Sequence, residues 1–279
     1  MRKITKENIE AFYCFLTNEE RAQTTICKYL HDINTFRKWL GDRELQKTVV
    51  LEYKSCLCER YAPASVNVAI SSLNSFFEFM EWYDLRVKNL KIQKQIFESS
   101  EKELTKSEYS RLLQVAKQKK NERLYLLMQT ICSTGIRVSE LRHITVEAIN
   151  RGMAEIKCKG KYRQVFLPKQ LCQILKKYAK EKKIKSGAVF VSKNGRPLDR
   201  SNIWSDMKKL CEEANVSRQK VFPHNLRHLF ARTYYSLQKD IVRLADILGH
   251  SSVDTTRIYT RESGEIHRKQ IQKLGLLRC

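Results

Sequence analysis

The stretch from Phe222 to Tyr259 constrains this chain more than any other. Within it Ile241, Leu244, Ala245, Ile247 and Leu248 recur at helical spacing and stop at Gly249, so a buried helix ends on a residue free to adopt positive φ. Before that helix His224 and Arg227 stand three residues apart, the spacing at which two side chains share one helix face. After it come His250 and, nine residues on, Tyr259. A fold that accepts this stretch must bury an apolar helix and leave two histidines, an arginine and a tyrosine near its end. Such a set suits an anion, and a DNA phosphodiester is the anion the remaining sequence supports.

Charge is the first check on that reading. Lys and Arg number 53 against 30 for Asp and Glu, a formal net charge of +23. An excess of that size favours a polyanion partner, because counterions are released when positive surface meets nucleic acid. The basic residues are spread along the chain rather than gathered in one tail, which argues against a membrane surface. No run approaches the roughly 18 apolar residues of a membrane span, and the start MRKITKEN has no apolar signal core. The expected location is cytoplasmic. Nine cysteines (14, 27, 56, 58, 132, 158, 172, 211 and 279) include no pair at CxxC spacing, so neither a disulfide framework nor a zinc site is indicated. Most of them are expected to pack as small hydrophobes. With no P-loop and no acidic metal-binding cluster, neither cofactor nor metal is expected.

Two domains are expected from 279 residues. Residues 1–95 read as four helices: Ile9, Phe12, Phe15 and Leu16 mark the first, and Ile26 to Leu40, closed by Gly41, the second. Val49 to Arg60 forms the third, and Pro63 and Ser65 open the fourth, which runs to Met80. The polar stretch KIQKQIFESSEKE holds the boundary, with a linker at 96–103 and a second domain over 104–279. There Thr105 and Glu108 make a capping box, and an apolar helix from Leu124 to Ser133 stops at Gly135. Alternation over Ala154–Lys159 and Tyr162–Leu167, with Gly160 between, predicts a β-hairpin. Helices are expected again over 170–182, 200–215, 225–237 and 241–248, with a last one after Tyr259.

A further segment, Thr134-Gly135-Ile136-Arg137-Val138-Ser139-Glu140-Leu141, sets an arginine just after a glycine turn, a suitable place for a phosphate. Glu140, three residues on, is placed to brace Arg137.

Taken in order, TGIRVSEL, CKGKYR, HNLRH, LGH and the tyrosine of TTRIYT resemble the tyrosine recombinases, the phage integrase and Xer group. The resemblance covers roughly 104–279 and fits 1–95 in outline. It implies a mainly α protein with a small β-hairpin, an N-terminal SAM-like core-binding domain and a C-terminal catalytic domain. It further implies that Arg137, His224 and Arg227 bind the scissile phosphate, that His250 supports or contacts it, and that Tyr259 is the nucleophile. Glu140 becomes a supporting residue. Lys159 becomes the hairpin acid that protonates the leaving 5′ oxygen, although Lys157 and Lys161 share its strand parity and alternation does not choose among the three.

The chemistry fits these roles. Attack on a phosphodiester builds negative charge that fixed guanidiniums stabilise, and a tyrosine of pKa near 10 needs a positive field or a base to attack at neutral pH. The implied product is a 3′-phosphotyrosyl bond, which a second DNA end reverses without ATP or metal. The implied partners are double-stranded DNA with inverted-repeat core sites and three further copies of the chain, assembled as a dimer of dimers. A final helix over Gly264–Leu277 would dock on a neighbouring copy. Tyr234 and Tyr235 are rival nucleophiles by proximity and read as core. Lys28, Arg37, Lys38, Lys88, Lys91, Lys94, Arg196, Arg200 and Arg218 are candidate backbone contacts. Two other readings share parts of the pattern: a type IB topoisomerase-like strand transferase, and an inactive DNA-binding regulator on the same scaffold.

Overall fold

The computed structural model describes residues 2–92, 102–158, 161–192, 194–250, 252–259 and 272–273. The chain divides into two compact units, Met1–Lys94 and Gln95–Cys279. Lys94, most of the linker, Lys159 and the expected final helix therefore lie outside the described residues.

The first unit is four helices: α1 (Lys6–Asn18), α2 (Gln23–Leu40), α3 (Lys47–Arg60) and α4 (Pro63–Phe79). Thr5 caps α1 by accepting from the Asn8 backbone N–H, while Asn8 accepts from the Thr5 N–H, so two otherwise unpaired donors are satisfied at once. Gly41, at φ 58°, ends α2, and Pro63 opens α4 where its missing N–H costs nothing. Phe12, Phe36, Phe76 and Phe77 are fully buried, but Phe15 is pushed to the rim, where it stacks on Phe12 and packs at a tilt against Phe79. One charge enters this core. Asp32 is buried, ion-paired to Lys28 one turn away and accepting from Ser72 Oγ at 2.8 Å.

The second unit begins at α5 (Lys106–Gln118), with the Thr105–Glu108 capping box in place. α6 (Glu122–Thr134) follows and ends at Gly135 in the left-handed region, at φ 65°. The chain then makes a 3₁₀ turn over Val138–His143 and a short helix α7 (Val146–Arg151) that is not among the expected elements. Thr145 caps α7 and Gly152 closes it. The antiparallel hairpin of β1 (Met153–Cys158) and β2 (Lys161–Phe166) pairs Ile156 with Arg163 and Ala154 with Val165.

Then come α8 (Lys169–Glu181), α9 (Arg200–Lys208), α10 (Pro223–Gln238) and α11 (Ile241–Leu248). α9 was expected to reach residue 215. Instead it gives way after Lys208 to successive turns that close at Asn215 with φ 49°, burying Leu210, Cys211 and Ala214 in the core. Among the described cysteines Cys172 and Cys211 are buried, Cys56 and Cys132 are partly buried with Cys132 packed against the core, and Cys14, Cys27 and Cys58 are exposed. No described helix is long and apolar enough to cross a membrane.

Candidate active site

The site is assembled at the C-terminus of α11. A helix end carries carbonyl oxygens with no intrahelical partner and a partial negative charge, so cations gather there. Three successive carbonyls each receive a different arginine: Ile247 O takes Arg163 Nη1 at 2.6 Å, Leu248 O takes Arg227 Nη2 at 2.7 Å, and Gly249 O takes Arg137 Nη2 at 3.3 Å. These arginines come from β2, from α10 and from the turn after α6.

Two glycines permit the convergence. A Cβ on Gly135 would stand 2.5 Å from Phe230 Cδ1, so α10 packs close against the end of α6, and Arg227 Nη1 donates to Gly135 O at 2.6 Å. A Cβ on Gly249, at φ 64°, would stand 2.4 Å from Arg163 Cδ, so the arginine stem runs across that bare backbone. Glu140 is buried beneath the group. Its Oε1 accepts from Arg137 Nη1 at 3.0 Å, and its Oε2 accepts from the Arg137 backbone N–H at 2.9 Å and from Arg163 Nη2. Burial pushes its carboxyl up, but Arg163 and the Arg137 hydrogen bonds outweigh that, and its pKa ends below the ordinary carboxylate value.

Arg227 is 1% exposed, and among the described residues no carboxylate is hydrogen-bonded to it; its acceptors there are two carbonyls and the His250 ring. Among the described residues its buried Nε has no hydrogen-bond partner. Burial and the nearby Arg137 lower its pKa to about 10, which still leaves it charged at neutral pH. His250 Nε2 lies 3.0 Å from Arg227 Nη2, and its Nδ1 lies 2.8 Å from Thr256 Oγ1. A guanidinium only donates, so Nε2 accepts and the imidazole is neutral with its proton on Nδ1. Burial, then Arg227 and Arg137, hold His250 down to about 4, in agreement.

His224 sits at the mouth, open to solvent on one side and packed on the other against His228, ring centroids 4.6 Å apart. Desolvation and the charges of Arg227, Arg137 and Arg200 lower its pKa. Tyr259 is 4% exposed, in a cluster with Ala231, Leu244 and Leu248. It meets His228 edge-on at 4.7 Å and stacks on His250 at 6.1 Å. Burial raises its phenol pKa even though Arg227 and Arg137 pull it down, so the unliganded site holds it protonated. The pocket thus joins an apolar seat for a phenol to a cluster of guanidiniums with spare charge.

Residues 102–265 match the model of the phage integrase family, and residues 9–83 match its N-terminal SAM-like domain. The chain belongs to the phage integrase family. A tyrosine recombinase, XerA of Thermococcus kodakarensis, is 31% identical over 280 residues, covering 97% of this chain and 96% of the relative. Among solved structures, the XerH site-specific recombinase bound to its difH substrate in a pre-cleavage complex superposes with a TM-score of 0.70 at 21% identity, covering 95% of this chain and 84% of that one. A lambda integrase tetramer bound to a Holliday junction superposes with a TM-score of 0.72 at 19% identity, covering 92% and 78%. The chain is accordingly a tyrosine recombinase, and its fold is that of these structures.

In this recombinase Arg137, His224, Arg227, His250 and Tyr259 meet in one pocket, and Glu140 supports it. Lys159 falls outside the described residues. Lys157 faces away from the core on β1, with its ammonium 5.1 Å from the Tyr162 ring centroid. Tyr234 and Tyr235 pack against the Leu244–Leu248 cluster from α10. Three pocket residues escaped the sequence reading. Arg163 shares strand parity with the buried Val165, so a charge on the inward face of β2 was the available signal. His228 was visible as the second histidine of HNLRH. Thr256, fully buried, carried no signal beyond lying three residues before Tyr259.

Proposed function

We infer that this recombinase cleaves and rejoins duplex DNA at specific sites through a covalent bond between Tyr259 and a 3′ phosphate. In that role Arg137 and Arg227 hold the non-bridging oxygens, and His224 binds from the mouth. His250 sets the Arg227 guanidinium, and Tyr259 attacks in line. Charge accumulating on the phosphorane meets guanidiniums that are already oriented, with no reorganisation at the moment of reaction. Lys159 is assigned to protonate the leaving 5′ oxygen. Residues 1–95 act as the core-binding half, 96–103 as the linker and 104–279 as the catalytic half. The observation that carries this reading is the seating of Tyr259 in the same subunit's pocket as the buried Arg227, whose guanidinium no described carboxylate hydrogen-bonds.

The assembly proposed is a tetramer, a dimer of dimers on two inverted-repeat sites, with the segment 264–277 bridging copies in the cytoplasm. The XerH complex on difH and the lambda integrase tetramer on a Holliday junction support that arrangement by likeness of fold.

Incubation with a library of nicked duplexes carrying a randomised core tests the chemistry, since loss of the short 5′-hydroxyl fragment traps the covalent adduct. Wild-type protein is expected to retain one sequence class through denaturing gels, and Tyr259→Phe to retain none while binding the same duplex with unchanged affinity. Adduct formation by Tyr259→Phe would refute the assignment.

A further inference from the structure

Arg163 belongs to no part of the proposed chemistry, yet it touches the site at three points on two separate elements. From β2 its Nη2 reaches Glu140 in the turn after α6, its Nη1 reaches Ile247 O at the end of α11, and its stem crosses Gly249. Its side chain is 12% exposed, so it is no solvated surface charge. Glu140 in turn orients Arg137 through both backbone and side chain, and the 247–249 segment supplies the carbonyls that aim Arg227 and Arg137. Removing Arg163 would therefore loosen both anchors of the phosphate-binding guanidiniums at once. We propose that Arg163 is a positioning residue that locks the end of α11 to Glu140 and so fixes Arg137 and Arg227 at the spacing a phosphate requires, with Gly249 kept bare to let its stem pass.

This inference rests on the strand-exchange reading and adds a residue to it. A lysine at 163 keeps the charge toward Glu140 but lacks the second planar donor for Ile247 O. A misplacement on the order of 1 Å costs catalysis about 100-fold, so Arg163→Ala is expected to slow single-turnover adduct formation about that much. Arg163→Lys should fall between it and wild type. DNA affinity should change far less.

The deciding experiment uses the duplex recovered by covalent capture, made with either a normal phosphodiester or a methylphosphonate at the scissile position. The neutral linkage has less charge for guanidiniums to balance. If Arg163 acts by placing Arg137 and Arg227, the Arg163→Ala defect shrinks on methylphosphonate to within a few-fold of wild type. A defect of equal size on both substrates overturns the proposal, whether its origin is general loosening or the leaving-group acid. A double-mutant cycle adds an independent arm. Gly249→Ala pushes on the Arg163 stem, so Gly249→Ala with Arg163→Ala should be no slower than the slower single variant. Fully additive losses count against the interlock. Should Arg163→Ala fail to fold, Arg163→Lys carries the same two comparisons. Adduct formation that Arg163→Ala leaves undiminished sinks this inference alone, whereas wild-type protein that forms no adduct on any duplex sinks the strand-exchange reading and this inference with it.

Discussion

Each of the two units has a deeply buried ionic side chain, Asp32 in one and Arg227 in the other, and the two are treated in opposite ways. In the N-terminal unit Asp32 is matched locally: Lys28 neutralises it from the next turn of the same helix, and Ser72 donates to its second oxygen. In the catalytic unit Arg227 is more deeply buried, yet among the described residues its hydrogen-bond partners are carbonyl oxygens and a neutral imidazole, and the like charges of Arg137 and Arg163 oppose the longer-range pull of Glu140. A buried ion that is fully paired serves the fold. One that is hydrogen-bonded but not neutralised is held ready for an external counter-ion, and a phosphodiester supplies it. The difference teaches where stability was spent and where it was withheld.

Arg227→Met should break the contrast most sharply. Cleavage is expected to fall about 10²–10³-fold, as for loss of one oxyanion donor. Thermal stability should change little, because relief of an un-neutralised buried cation offsets the loss of its hydrogen bonds to the Gly135 and Leu248 carbonyls. A large drop in melting temperature would show that Arg227 is structural. Asp32→Ala is the converse and has a smaller effect. Stability should fall by about 1–3 kcal/mol, the usual penalty for leaving a buried polar partner unsatisfied, as read by denaturant unfolding. The cleavage rate per folded molecule should not move. Loss of cleavage in that variant would erase the distinction drawn here.

The smallest effect is the response to acid. His228 and His250 are both held down to about 4 in the folded protein, first by burial and then by neighbouring positive charge, against a value near 6.5 when unfolded. The unfolded chain therefore takes up protons first as pH falls. The stability that rests on keeping both rings neutral is present above about 6.5 and is lost progressively between about 6.5 and 4. Melting temperatures should fall by a few degrees through that window, and chemical-shift titration of the two rings should give midpoints well below 6. Midpoints at the ordinary value would show the pocket to be wetter and less positive than the geometry implies.

Much of this fold could be read in advance, because helices and hairpins are written in local periodicity. The apolar repeat of 241–248 and its closing Gly249, the Thr105–Glu108 box, and the alternation around 154–167 each fix structure within a few residues. The errors fall where local pattern and tertiary packing disagree. α9 stops early because Leu210, Cys211 and Ala214 reach the core through turns rather than through a straight helix. α7 is too short for periodicity to announce it. Arg163 was passed over because a charge at an inward strand position makes no sense until its partners are known.

The sequence by itself determined which elements form, that they carry an excess of positive charge, and which side chains suit phosphate chemistry. Their arrangement around one helix end was left to the tertiary structure. Arg227 reaches Gly135 across 92 residues of chain, Arg137 reaches Gly249 across 112, and Arg163 reaches Ile247 across 84. No local pattern encodes contacts at such separations. They arise because burying the apolar faces of α6, α10, α11 and the hairpin together leaves the carbonyls of residues 247–249 within reach of three arginines from distant parts of the chain.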